Sequence, residues 1–321
     1  MRLGFLARKL LGAFTTVLFV VAFNFFLFRV VNRDPVNSMF RGRNLTKAQL
    51  EQLRVRFHLT GSLWQQFWAY LRQLLHGDLG YSLKSSRLVA DVIGDAVWPT
   101  VLLVGTSTLL AMIGITIGYR AGWRRGSAFD ATSTSLSMLT YAMPEFWIGM
   151  VFLGLFAAGL GWFPVGGLEN PGSTATGLSK LLDQMHHMVL PAVVLAVAYI
   201  GEYMIVARSS MIETLREDYL QLARAKGMRD ADVRRRHAVP NARLPVVSLS
   251  AINFGFVFSG AIAVESIFSW PGIGQQTYLA IRGPDLPMLQ GLYLLISAAV
   301  ILANLVADLL YGVLDPRVAG R

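Results

Sequence analysis

Four polar residues stand out in or near the ends of mostly apolar stretches, Glu145, Glu202, Asn253 and Glu265, with Asp308 and Asn304 as lesser cases. An ionisable group in a hydrocarbon layer is costly and faces protein or water, so it marks a pathway by default. All four are therefore candidates for lining or gating a pathway. Glu202, in Tyr199-Ile200-Gly201-Glu202-Tyr203, is placed to meet a substrate amine. A second reading, which weighs slightly more, makes it a structural carboxyl bonded to a Tyr, Ser or Asn of a neighbouring helix. Other chemistry finds little support. With no cysteine, the chain has no thiolate metal site and no thiol nucleophile. His186 and His187 are adjacent and project from different faces of a helix. Neither a Gly-x-x-x-x-Gly-Lys-Ser/Thr phosphate loop nor a His-Glu-x-x-His zinc motif is present. Ser259 has no histidine in any apolar stretch to act as its base. We expect no catalytic, cofactor-binding or metal-binding residue in this chain.

The elements that hold these residues are membrane spans. Hydrophobic residues make up 54% and charged residues 15% of 321, against about 25% charged in soluble domains. Crossing the hydrocarbon layer takes about 20 apolar residues. Six stretches qualify: 10–28, 97–119, 131–160, 188–207, 244–264 and 287–307. The first is too long for a signal peptide and has no small-residue cleavage site, so it reads as a retained anchor. The net charge is +10, from 29 Lys and Arg against 19 Asp and Glu. In an apolar chain this excess belongs to the basic loops of a membrane protein rather than to nucleic-acid binding.

Basic residues cluster before the first span, after the second, between the fourth and fifth, and after the sixth. The positive-inside rule puts those segments in the cytoplasm, giving six spans with both termini inside. The first loop, 31–96, is also basic, but it exceeds the length of about 60 residues beyond which loop charge stops deciding topology. It reads as a folded extracytoplasmic element. Thr46-Lys47-Ala48-Gln49 is a capping box. Trp64, Phe67, Trp68, Leu71 and Leu75 form an apolar stripe at helical spacing. Trp64 and Trp68 suit either a headgroup or partner contact, or the loop's own small core. The loop from Gly166 to Ser173 reads as irregular surface. Gly114-Ile115-Thr116-Ile117-Gly118 offers a small-xxx-small helix contact.

The segment 208–243 is helix-prone. Ser209-Ser210 can start a helix running to Lys226. Gly227 is placed to end it in the left-handed conformation, and Arg224 and Lys226 suit its last turn. Asp230 can cap a short second helix over 231–237, and Pro240 and Pro245 break the chain before the fifth span. Ala223, Ala225 and Gly227 would let another surface approach closely.

The run from Glu217-Asp218-Tyr219-Leu220-Gln221-Leu222-Ala223-Arg224-Ala225-Lys226-Gly227 to Arg236-His237-Ala238-Val239-Pro240-Asn241-Ala242-Arg243 resembles the coupling loop of ABC importer permeases. It is most similar to the first permease subunit of dipeptide, oligopeptide and nickel importers. Phe57-His58-Leu59, Gly77-Asp78-Leu79-Gly80-Tyr81-Ser82, Met143-Pro144-Glu145-Phe146-Trp147, Gly161-Trp162-Phe163-Pro164, the run from Val264-Glu265 to Trp270-Pro271-Gly272-Ile273-Gly274, and Asp308-Leu309-Leu310-Tyr311 with Leu314-Asp315-Pro316-Arg317 follow in that family's order. Departures are Gln221 and Leu222, where importers usually carry Glu-Ala, Asn32-Arg33-Asp34-Pro35 in place of Pro-Gly-Asp-Pro, and Pro240, where peptide importers often carry another residue.

The resemblance implies an all-α, type I importer transmembrane domain over 97–312. An anchor and folded loop (1–96) precede it and a cytoplasmic tail (313–321) follows. It implies a permease for short peptides, with nickel chelates, glutathione or haem as alternative cargoes. The implied partners are a second homologous permease, two cytoplasmic ATPase subunits that carry ATP and Mg, an extracytoplasmic binding protein and the lipid membrane. ATPase docking falls to Glu213, Glu217, Asp218, Ala223, Arg224, Ala225, Lys226, Gly227 and His237. Binding-protein contact falls to Trp64, Trp68, Trp270, Pro271 and Gly272. A stand-alone secondary transporter or channel would show internal repeats with broken helices in both halves, and no convincing repeat is visible.

Overall fold

The computed structural model describes residues 3–31, 46–56, 60–82, 84–256 and 261–314. Phe57-His58-Leu59, Asn32 to Pro35, Ser259, the tail from Asp315 and the side chain of Asp308 lie outside the described residues. The helices are α1 (Leu3–Phe25, continued by a π-helical turn Phe26–Val31), α2 (Lys47–Arg56), α3 (Leu63–Leu75), α4 (Val89–Ala111), α5 (Ile113–Trp123), α6 (Ala128–Ala142) and α7 (Glu145–Phe152, continued as a π-helix Leu153–Gly159). They continue with α8 (Gly177–Thr214), α9 (Asp218–Ala225), α10 (Asp230–Val233, continued as a π-helical turn Arg234–Ala238), α11 (Val239–Asn241), α12 (Arg243–Phe256), α13 (Ile262–Ile267), α14 (Ile273–Arg282) and α15 (Leu286–Leu314). A short hairpin, β1 (Tyr81–Ser82) with β2 (Arg87–Leu88), is antiparallel in the register Tyr81↔Leu88.

Among the described residues, four helical stretches are long and apolar enough to cross a membrane: 7–30, 89–123, 177–214 and 286–306. The pair α6 and α7 makes a fifth if its two halves, bent by 95°, count as one span. The third stretch expected from hydropathy, 131–160, is thus broken in its middle. Pro144 lacks an N–H, and a residue before proline is pushed out of the α region. Met143 accordingly takes φ −77°, ψ 131°. The residues of the expected fifth span, 244–264, fall in α12 and the start of α13, with 257–260 outside the described set, and are not among the stretches that qualify.

The chain divides into two compact units, the first built from Met1–Thr100, Phe258–Ile262 and Pro271–Arg321 and the second from Val101–Val257 and Ala263–Trp270. In the first unit α1 packs against α15. Asn24 Nδ2 donates to the Gln290 carbonyl at 3.2 Å, and the Phe28 and Tyr293 rings lie 5.8 Å apart. Val89, Ile93, Ala96, Ile273, Met288 and Leu292 form a buried core, with Leu79, just before the β-hairpin, packed against it. Ser82 Oγ donates to the buried Asp285 carboxylate at 2.6 Å, and Asp285 caps α15 by accepting the Met288 N–H. The Thr46 capping box is present, with Thr46 N–H donating to Gln49 Oε1 at 2.9 Å and Gln49 N–H to Thr46 Oγ1 at 3.3 Å. A second box, Ser62 with Gln65, starts α3.

The second unit is organised by contact of α5 with α8. A Cβ added to Gly114 would strike the Ile200 carbonyl, one on Gly118 the Met204 carbonyl, and one on Gly122 the Arg208 carbonyl at 2.8 Å. Steps of four on one helix match steps of four on the other in the same direction, so α5 and α8 are parallel. Glycine is required because only without side chains do the backbones come this close. The Gly114-xxx-Gly118 contact expected from sequence is present, extended by one turn to Gly122. Helix α6 packs on the far side: Gly201 meets the Ser137 carbonyl, and Asp130 meets Arg208. Here numbers fall as their partners rise, so α6 is antiparallel to α8. The α5–α6 turn and the segment after α8 therefore lie at the same end of this unit.

These environments predict opposite outcomes for one substitution. Gly118→Ala places a methyl group against backbone and should lower the thermal midpoint of the purified chain, since overpacking costs about 1–3 kcal/mol. Gly105→Ala, where nothing lies within 4 Å, should leave the midpoint unchanged or raise it, since alanine stabilises a helix interior by about 0.5–1 kcal/mol. Equal shifts in detergent unfolding curves would refute the close-packing account.

Candidate functional site

Helix α8 does not end at the expected span boundary near Ala207. It continues to Thr214 as one helix of 38 residues. Ser209 and Ser210 are interior, not a start signal, and Thr214 Oγ1 donates back to the Ser210 carbonyl at 2.8 Å. The continuation follows from packing: Ala207, Ser210 and Met211 are buried, so these turns are as firmly held as those above them. Glu213 is consequently in the last turn of α8. Two turn bonds, Arg216 N–H to the Glu213 carbonyl and Glu217 N–H to the Thr214 carbonyl, both 3.1 Å, redirect the chain.

Helix α9 then starts at Glu217, whose extended φ/ψ of −76° and 135° marks the N-cap. Asp218 in the first turn complements the helix dipole. The far end closes as a full Schellman motif. Gly227 N–H donates to the Arg224 carbonyl at 2.9 Å and Met228 N–H to the Ala223 carbonyl at 3.3 Å. Gly227 has φ +79°, the left-handed conformation that glycine adopts without a Cβ clash. Lys226 is the C-cap.

One face of α9 is anchored. Leu220 and Ala223 join Met211, Val233, Ala238 and Ala242 in a buried cluster, with Trp123 and Met228 packed against it. Ala223, at 6% exposed, faces the chain's own core, which corrects its reading as a small residue open to a partner. Arg224 is also engaged internally: Nε is 3.1 Å from Asp230 Oδ1, and the guanidinium lies over the Trp123 ring. Asp230 is the first residue of α10 rather than its cap, which is Arg229. Pro240 and Pro245 interrupt nothing, because both sit in first helical turns, where a missing N–H is tolerated. His237 lies in the π-helical turn, and its carbonyl accepts from Asn241 Nδ2 at 2.6 Å. Ser210 Oγ, at 2.9 Å, and Tyr119 Oη, at 3.3 Å, both donate to the Ala242 carbonyl.

The opposite face of α9 is open. It presents Tyr219, Leu222 at 56% exposed, Ala225 and, beyond the cap, Gly227. Partial burial, and secondarily the Glu217 carboxylate, push the Tyr219 phenol up from its ordinary value. Tyr219 and Leu222 escaped the sequence reading, although their spacing from the buried Leu220 and Ala223 was a usable amphipathic signal.

The remaining candidates divide. Glu202 and Asn253 come together, with Asn253 Nδ2 3.4 Å from Glu202 Oε2. Tyr199 lies within electrostatic reach of both Glu145 and Glu202. Glu145, the first residue of α7, is half-buried directly after the 95° bend. Glu265 and Trp270 are both 0% exposed: the first cannot line an open pathway in this conformation, and the second offers no surface to a partner. Gly272 is buried, Pro271 half-buried, and Trp64 and Trp68 are exposed. The loop expected to be irregular is pinned, with Asn170 Nδ2 donating to Asp183 Oδ1 at 2.6 Å and Gly167 N–H to the Phe268 carbonyl at 2.8 Å. No group of three or more metal-ligating side chains occurs among the described residues.

An ion pair that hydropathy passed over lies beneath this end of the unit. Asp130, 4% exposed, receives Arg208 in a two-pronged contact of 2.6 and 3.0 Å, plus the Gly126 N–H at 3.0 Å. Asp130→Ala leaves a partly buried guanidinium without its partner. The expected loss is about 3 kcal/mol, at the low end for a broken buried pair because Arg208 keeps some solvent contact. Asp130→Ala with Arg208→Met should recover a share of it. Thermal unfolding of both variants checks this, and an unshifted midpoint for the single variant would show that the pair does not hold the helices.

Residues 114–320 match the family described as "Binding-protein-dependent transport system inner membrane component", and residues 2–104 match its N-terminal companion family. The chain is 35% identical over 334 residues to the dipeptide transport system permease protein of Escherichia coli (strain K12), covering 98% of each. It is 35% identical over 339 residues to the di/tripeptide transport system permease protein of Pseudomonas aeruginosa (strain UCBPP-PA14), again 98% of each. It is 31% identical over 317 residues to the oligopeptide transport system permease protein of Bacillus subtilis (strain 168), covering 98% of this chain and 99% of that one.

Proposed function

Because this chain belongs to the family of binding-protein-dependent transport system inner membrane components, we propose that it is the permease subunit of an ATP-driven importer of short peptides, with α9 as the element through which an ATPase subunit moves it. The observation that carries the docking assignment is the division of α9 into a face locked to its own chain and a face left open. A helix that is to transmit force needs a rigid seat, supplied here by Leu220, Ala223 and the Schellman closure. It also needs an unoccupied contact surface, and Tyr219, Leu222 and Ala225 provide one. Glu217, Asp218, Lys226 and Gly227 border that surface. Arg224 serves it indirectly, by bracing the turn through Asp230 and Trp123.

The peptide assignment rests on the names of relatives aligned over nearly the whole chain. The half-buried patch of Glu145, Tyr199, Glu202 and Asn253 is our candidate for the pathway, where a carboxylate would attract a peptide amine. Six spans, both termini in the cytoplasm, and a division into anchor and loop, transmembrane domain with coupling segment 208–243, and tail complete the reading. The parallel course of α5 and α8 supports this topology, since it brings the basic loops at 124–127 and 215–242 to one end. A second permease, a second ATPase subunit and an external binding protein would complete the transporter. ATP and Mg belong to the ATPase subunits.

Leu222→Glu inserts a charge into the open face without touching the anchored one. It should reduce co-purification of the ATPase subunits about tenfold, since a charge buried without a partner at an interface costs at least about 1.4 kcal/mol, while membrane insertion stays normal. Gly227→Pro cannot hold φ +79° and should retain partial binding while uncoupling ATP hydrolysis from peptide uptake. Undiminished co-purification of the Leu222→Glu variant would remove α9 from the interface.

A further inference from the structure

Where α1 meets α15, two adjoining hollows share the side chains of Leu74, Leu79 and Leu294. The upper one is half polar and about 170 Å³, with Arg29, Tyr70, Asp78 and Gln290 among the residues lining it. That is far more than the ~10–15 Å³ that one water needs. The lower one, about 260 Å³, is almost wholly apolar and runs between Val17, Val20 and Val21 on one side and Ala298 and Ile301 on the other.

Three observations fix what these hollows suit. The first is charge. Arg29 and Asp78 both line the first hollow, so a cation and an anion face the same space. The Asp78 carboxylate uses Oδ1 to accept the Gly80 N–H at 2.8 Å, which leaves the second oxygen of the group for a ligand. The second is an under-used donor: Gln290 Nε2 is buried with no hydrogen bond of good geometry among the described residues, its side chain lying beside the Tyr70 hydroxyl. The third is depth. Arg29 and Gln290 stand at the ends of the apolar stretches 7–30 and 286–306. Exposed Trp64 and Trp68 lie on α3, the helix that contributes Tyr70 and Gln73 to the polar wall. Exposed tryptophans mark the headgroup level of a membrane. From Arg29 to Val17 is twelve residues, or about 18 Å at 1.5 Å per residue. That is close to the ~15 Å of hydrocarbon in one leaflet.

We propose that this crevice is a binding site for one phospholipid whose headgroup carries both a phosphate and a primary ammonium, that is, phosphatidylethanolamine. The phosphate seats on the Arg29 guanidinium and the Gln290 amide. The ammonium meets Asp78, and one acyl chain fills the groove between α1 and α15. A purely anionic headgroup would satisfy Arg29 but sit against the Asp78 carboxylate. A quaternary ammonium would have no N–H to donate to it.

The full-length chain, extracted with its native subunits, would be exchanged into micelles holding equal amounts of phosphatidylethanolamine, phosphatidylcholine and phosphatidylglycerol. The lipid retained after washing would be measured by mass spectrometry. This readout does not depend on which solute is transported. The ethanolamine lipid should be retained in about tenfold preference to the glycerol lipid, as loss of one charge-assisted contact implies. Arg29→Gln should lower retention of all three lipids. Asp78→Asn keeps an oxygen for the Gly80 N–H and should erase the preference alone. Val20→Trp fills the groove without touching a polar group and should lower retention, keeping the test decisive if Arg29→Gln folds poorly. Equal retention of the three lipids by the unaltered chain, or an unchanged preference in Asp78→Asn, would overturn the assignment.

Discussion

The approach of α5 to α8 at Gly114, Gly118 and Gly122 is the constraint on which the second unit depends. In a hydrocarbon layer no hydrophobic force drives helices together, since lipid tails are as apolar as leucine. What remains is close packing, and three glycines at intervals of four supply a groove for it. The consequence travels along α8. The last glycine, Gly122, meets the side chain of Met211, where an added Cβ would lie 2.8 Å away. Met211 belongs to the cluster that also holds Leu220 and Ala223. The contact that joins two helices thus also builds the floor beneath α9, and the rigidity of that short helix is inherited from the glycine stripe.

A helix of eight residues is too short to be stable by itself, because nucleation is unfavourable and few hydrogen bonds offset it. Its persistence here comes from the Schellman closure, from the bracing of Arg224 by Asp230 and Trp123, and from the buried pair of side chains beneath it. Asp130 and Arg208 have a matching role one level down. Their two-pronged contact fixes α6 against α8 where both leave the apolar layer. The Gly126 N–H ties the same carboxylate to the turn that precedes α6. Helices α5, α6 and α8 are joined there through contacts in which small residues and charges do more than large apolar side chains.

Much of this was legible in the sequence, because it is written in short-range rules. Gly227 at the end of a helix, the Thr46–Gln49 capping box and the Gly114–Gly118 spacing each depend on a few neighbouring residues, and each appears in the structure. What escaped depends on partners far along the chain. The apolar stretch ending near Ala207 carried no sign that α8 continues to Thr214, because that continuation is enforced by burial against α5 and the 230–242 segment. Ala223 and Trp270 are small and aromatic residues of the kinds that favour contact surfaces, yet tertiary packing turned both inward. The Asp130–Arg208 pair spans 78 positions, and only the antiparallel course of α6 and α8 brings it together. Pro144 was visible, but hydropathy averages over a bend, and its 95° turn is a matter of backbone sterics rather than of apolar content.

The length of α8 bears on how the two ends of the second unit communicate. Glu202 stands twelve residues before Thr214, about 18 Å along an unbroken helix. The glycine contacts with α5 cover most of that interval, from Ile200 to Met211. The described residues contain no π-bulge or proline between Glu202 and Thr214, the one proline inside α8 being Pro191, nearer its start. A displacement delivered to the end of α8 at Thr214 therefore meets no joint before it reaches the polar patch of Glu145, Tyr199, Glu202 and Asn253. The compliant elements lie elsewhere, at Pro144, which frees α7 from α6, and at Pro191 beyond the patch. Coupling through such a body is a matter of moving a stiff rod whose contacts with α5 admit little slip, because a carbonyl sits where each glycine's missing side chain would be.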